Sequence, residues 1–155
     1  MSPEPAEPPT LDAEEERLWR NLGRVTQRLP RLLDDAMLRG AGLTMSEFAV
    51  LDAMGGSPEA TVRMSDLAAE IGLSLSRVSR VVDKLAARGW CRRVRHGGDG
   101  RSALVVLTDD GGARVAAARP LHRRLAREHV LDRVPPADRD AVAAALAAIA
   151  EDRRA

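Results

Sequence analysis

The chain has 155 residues, 24 basic and 23 acidic side chains, a formal net charge of +1, one cysteine and 2% aromatic residues. A single core can hold a chain of this size, and one cysteine excludes both an intramolecular disulfide framework and a thiolate-based zinc or iron–sulfur site within one chain. No apolar run approaches the ~18 residues of a membrane span, and the opening Met1-Ser2-Pro3-Glu4-Pro5 is unlike a signal peptide, so a soluble, cytoplasmic single domain is expected.

The near-neutral total hides a segregation of charge. Residues 1–16 carry Glu4, Glu7, Asp12, Glu14, Glu15 and Glu16 with no base, whereas residues 75–101 carry eight bases against Asp83 and Asp99. Positive potential gathered in one block is the footprint of a phosphate-binding surface, although a solvated charged helix gives the same count.

Residues 1–10 hold four of the nine prolines and read as a disordered tail. Leu11, Leu18, Leu22, Val25, Leu29, Leu32, Leu33 and Met37 then recur with a helical period. Pro30 inside that run removes a backbone donor, which predicts a kink or two abutting helices, and Gly40 and Gly42 end the segment. Thr44 and Glu47 form a capping box, Leu43 can staple onto Phe48, and a helix to about Met54 follows before Gly55-Gly56-Ser57-Pro58. A short helix begins at Met64-Ser65-Asp66, with Ser65 as the expected N-cap and Gly72 at its end.

After the turn Ile71-Gly72-Leu73, Ser74 can cap a second helix running to Arg88, with Gly89 as its stop. Leu75, Val78, Val82 and Leu85 are its expected buried stripe, and Ser76, Arg77, Ser79, Arg80 and Lys84 its outer face. A capped helix, a glycine-containing turn and a helix faced with hydroxyls and arginines make a helix-turn-helix. The period then changes to two: residues 90–96 and 102–107 read as a β-hairpin around the tip Gly97-Gly98-Asp99-Gly100-Arg101. Thr108-Asp109-Asp110 caps a helix to about Arg133, with room for a bend at Pro120. Pro135-Pro136 punctuates, and an Ala-rich helix carrying Val142, Leu146 and Ile149 finishes the chain.

This order resembles the MarR family of bacterial winged-helix transcription regulators from about Leu11 to Ile149. The densest likeness lies in LTMSEFAVL at 43–51, MSDLAAEIGLSLSRVSRVVDKLAARGW at 64–90 and DGRSALVVLTDDG at 99–111. The last segment holds the family's wing pattern, here Asp99, Arg101, Leu107 and Thr108, while Cys91 and Pro30 depart from the usual pattern. The resemblance implies a mainly α fold with a small β-hairpin wing. It places a winged helix-turn-helix at about 44–108 and dimerisation helices at about 11–39 and 109–153, within a single domain over 11–155.

Chemistry assigns provisional roles. A helix in the major groove reads bases from its N-terminal half, where Ser74, Ser76, Arg77, Ser79 and Arg80 lie, and Arg77 is the first candidate for bidentate guanine readout. Arg80 suits either base or phosphate, Lys84 suits phosphate, Arg95 adds positive charge on the hairpin, and Arg101 at a glycine-rich tip suits a narrow minor groove. By resemblance, Asp99 braces a neighbouring arginine. One head binds too little duplex for specificity, so a homodimer on a pseudo-palindromic operator is expected, with half-sites ~34 Å apart. The resemblance puts its interface at the chain ends, and implies repression relieved by a small aromatic or apolar effector held between the dimerisation helices and the reading head. Trp19, His122 and His129 are candidates to line that pocket.

His122 and His129 lie seven residues apart, ~10 Å along a helix, too far to share an ion, so no metal or cofactor is expected. Two other readings stay open. Cys91 beside Arg92 and Arg93 could be a redox sensor, and the winged helix could serve protein contacts instead of DNA. No catalytic grouping or nucleotide fingerprint stands out, so an enzyme is not expected.

Overall fold

The computed structural model describes residues 10–95 and 103–151. Six α-helices and a three-stranded antiparallel sheet make the fold: α1 (Ala13–Ala41), α2 (Met45–Gly56), β1 (Thr61–Arg63), α3 (Met64–Ile71), α4 (Leu75–Ala87), β2 (Cys91–Arg95), β3 (Ala103–Leu107), α5 (Asp109–His129) and α6 (Arg139–Ala150), with short 3-10 turns between some of them. The sheet order is β1-β3-β2, with Val105 of β3 facing both Val62 and Arg93.

Local chemistry explains most boundaries. Asp12 accepts from the Glu15 amide at 2.9 Å while Glu15 reaches back to the Asp12 amide, a capping box that starts α1. Thr44 and Glu47 do the same for α2 as expected. Gly72, at φ 67°, closes α3 in the left-handed region that glycine enters without strain. Thr108 caps α5 through the Gly111 amide at 3.1 Å.

The core gathers α2, α3, α4 and β3 around Leu43, Leu51, Met54, Leu67, Val82 and Val105, and Met37 of α1 and Val115 of α5 reach into it. Gly111 lets the first turn of α5 lie against the chain at Trp90: a Cβ there would stand 2.0 Å from the Trp90 carbonyl oxygen.

Several expectations need correction. α1 runs as one helix through Pro30 rather than as two abutting ones, while α5 continues through Pro120 as expected. Each proline costs one backbone bond, which the bonds and packing on either side outweigh. Ser65 does not cap α3. The helix starts directly from strand residue Arg63, so Ser65 is already inside it and donates to Asp66. Leu75 is 54% exposed because the first turn of α4 overhangs the core, while Val78, Val82 and Leu85 are fully buried. α5 ends at His129, and a 3-10 turn occupies Leu131–Arg133. β1 was not anticipated: three residues show no clear period, and pairing with β3 alone makes them a strand. The proposed tail lies almost wholly outside the described residues.

Candidate nucleic-acid interface

The outer face of α4 is assembled from its cap outward. Ser74 accepts from the Arg77 amide at 3.3 Å, and its Oγ lies 3.2 Å from that of Ser76. Ser74, Ser76, Arg77, Arg80 and Lys84 are exposed, backed by the buried Val78, Val82 and Leu85. A rigid apolar seam therefore holds a row of hydroxyls and cations towards solvent. Arg77 also donates to Ser46 Oγ at 3.4 Å, a weak tie between α4 and the start of α2.

Ser79 belongs to that row in sequence but is half-buried and engaged. Arg93, on β2, donates to Ser79 Oγ at 2.9 Å and to its carbonyl at 3.2 Å, and holds Asp83 with Nη2 at 2.7 Å and Nε at 3.1 Å. One guanidinium thus fastens the hairpin to the outer helix. Periodicity could not have found this: Asp83 and Ser79 sit ten and fourteen residues from Arg93, on a different element. The only advance signal was an aspartate on α4 amid basic residues.

A second junction sets this head against the long helices. Buried Glu47 accepts from Arg88 at 3.3 Å, and the guanidinium groups of Arg88 and Arg114 lie 5.1 and 5.2 Å from the Trp90 ring centroid, within cation–π range. Arg114 also donates to the carbonyl of Ala41 at the end of α1. These side chains connect α1, α2, α4 and α5 at one point.

Arg95 pairs with Ala103 through the β2–β3 ladder. The Arg95 side chain, Asp99, Arg101 and the glycine tip lie outside the described residues. Cys91 is buried at the start of β2, its thiol directed to the Val82 carbonyl at 3.6 Å. Burial pushes its pKa up to about 11, Arg93 offsets this in part, and Asp83 adds to the rise. The basic neighbours therefore do not generate a thiolate at neutral pH.

Behind the reading head a groove of about 870 Å³ opens between α2, β1, α3 and α5. His122 lines it and stacks on Phe48, ring centroids 4.3 Å apart. Trp19 and His129 do not line it: Trp19 is 67% exposed on α1, and half-buried His129 stands one helical segment further along α5. Among the described residues no group of three or more His, Cys, Asp or Glu could hold a metal, and no helix is long and apolar enough to cross a membrane.

Comparison with known proteins agrees with this architecture. A MarR family model matches residues 41–102, which begin at the last residue of α1. The regulator PecS of Dickeya dadantii is 32% identical over 126 residues, 80% of this chain and 70% of its own. The chain belongs to the MarR family. Among solved structures, the MarR family regulator Sco3205 of Streptomyces coelicolor, determined in complex with DNA, superposes with a TM-score of 0.89 at 30% identity, covering 97% of this chain and 94% of its own. AbsC from the same organism gives 0.85 at 31% identity, covering 95% and 99%. As a MarR-family protein the chain is a transcriptional regulator, not an enzyme.

Proposed function

We propose that this MarR-family regulator is a cytoplasmic homodimer that binds a pseudo-palindromic operator, represses transcription there, and is released by a small ligand. The observation that carries the reading is the exposed Ser74-Ser76-Arg77-Arg80-Lys84 face, held rigid by the seam beneath it and tied to the hairpin by Arg93. In this reading Arg77 contacts a base, Arg80 and Lys84 contact phosphate, and Arg95 and Arg101 extend the contact along the wing. Ser79 acts through Arg93. Asp99 keeps the bracing role that the resemblance gave it.

Dimerisation is supported by what a single chain leaves uncovered. α6 buries no residue, with Val142, Leu146 and Ile149 exposed, and α1 exposes Leu18, Trp19 and Val25. Apolar stripes of this extent on both terminal helices call for a partner surface. Ligand release is supported by the groove between α3 and α5, where an occupant would touch both the reading head and a dimerisation helix. The buried, neutral Cys91 gives the redox reading no support.

Selection from random duplexes tests the proposal. The expected result is an enriched pseudo-palindrome with half-sites about one turn, ~34 Å, apart, and a relaxed preference at one position per half-site for Arg77→Ala, worth about 1–3 kcal/mol of discrimination. Selection that enriches nothing overturns it. Protein binding that survives loss of both Arg77 and Arg80 would favour the interaction-module reading.

A further inference from the structure

We propose that the groove between α2, α3 and α5 takes an aromatic organic cation. This rests on the ligand-release reading for its consequence, loss of DNA affinity, but not for the binding itself. The groove has an apolar base, with buried Phe48 and Val62 beside Ile71 and Leu104. Phe48 stacks on His122 with the ring planes 23° apart and is itself only 3% exposed, so the half-buried His122 ring presents the flat surface of that wall. A flat ring over an apolar lining suits the stacking of a planar group.

Charge decides the class of occupant. Three carboxylates, Asp52, Asp66 and Glu70, line the groove against the single guanidinium of Arg63. Asp52 is already held by Arg119, Nε to Oδ1 at 2.8 Å. Asp66 and Glu70 stand one turn apart on the same face of α3, and among the described residues neither forms an ion pair. An anionic ligand would gain Arg63 and meet the uncompensated carboxylates of Asp66 and Glu70. An aromatic cation gains the two exposed carboxylates for its charge and the His122 ring for its flat groups, each contact modest because the rim is solvated.

Tetraphenylphosphonium and tetraphenylborate have the same shape and opposite charge, so their sodium-buffer titration calorimetry against the full chain, without DNA, isolates the charge preference. The phosphonium is expected to bind about tenfold tighter or more, and the double variant Asp66→Asn, Glu70→Gln to lose about tenfold of that affinity at unchanged melting temperature. Equal binding of the two ions, tighter binding of the borate, no binding of either, or an unaffected double variant overturns the proposal. A chain that takes the phosphonium yet enriches no duplex overturns the operator reading alone, and one that enriches a duplex yet prefers the borate overturns the cation site alone.

Discussion

Arg80 and Arg93 carry the same charge, yet Arg80 faces solvent on α4 while the guanidinium of Arg93 is spent on Asp83 and Ser79. Their loss should therefore read differently. Arg80→Ala removes a cation available to phosphate and should lower the slope of log affinity against log salt by about one, whereas Arg93→Ala should weaken binding with a smaller change in slope, because its charge is already compensated within the protein. Affinities measured across a salt series separate the two, and equal slope changes would show that Arg93 contacts DNA as well. Cys91 behaves contrary to its basic neighbours for a related reason: burial outweighs Arg93. With a folded pKa of about 11 against an ordinary value of 9.0, the thiol stays protonated in the native state while the unfolded thiol ionises. The folded state then binds more protons, so stability should fall as pH rises from about 9 towards 11, and iodoacetamide should alkylate native Cys91 far more slowly than the denatured chain at pH 8. Rapid native alkylation would restore the redox reading.

Among the elements, the approach of α5 to the α4–β2 connection controls how the head is carried. The Thr108 hydroxyl donates to the Gly89 carbonyl at 2.7 Å and its amide to the Trp90 carbonyl at 3.2 Å, and Gly111 then passes beneath the Trp90 carbonyl with no space for a side chain. Gly111→Ala must push α5 away, because the obstructing atom is backbone and cannot rotate aside. A loss of about 1–3 kcal/mol is expected, read as a lower melting temperature, in contrast to Gly112→Ala, where the nearest atom is 3.9 Å away. Equal melting temperatures for the two variants would mean that α5 adjusts without strain. In the sequence Gly111 stood out only as the last residue of the DGRSALVVLTDDG segment. Its need to be glycine comes from a carbonyl 21 positions earlier in the chain.

For the whole molecule, the exposed apolar stripes and the near-neutral charge make one expectation. A chain of formal charge +1 has little bulk attraction to DNA, so tight binding requires two heads acting together. Ile149→Glu places a charge on α6 where Ile149 is 63% exposed in the single chain, so the monomer should keep its helical content. It should nevertheless shift the mass in solution from dimer to monomer, and operator affinity should fall by at least tenfold as the second half-site is lost. Light scattering and band shifts on the same sample check both. A dimer that survives would place the interface away from α6.

The sequence by itself determined the helix-turn-helix, its caps at Thr44, Ser74 and Thr108, the outward row on α4 and the unsatisfied terminal stripes. Each is written in steps of three to seven positions, by helix period and by the hydrogen-bonding needs of a helix end. Tertiary structure alone decided that Ser79 would be claimed by Arg93, that Glu47 would hold Arg88 beside Trp90, that residues 61–63 would become a strand, and that His122 rather than Trp19 or His129 would line the groove. Those outcomes depend on which surfaces dock and at what angle. A side chain finds a partner ten or forty-one positions away through the packing of whole elements, and no repeat in the sequence records that distance.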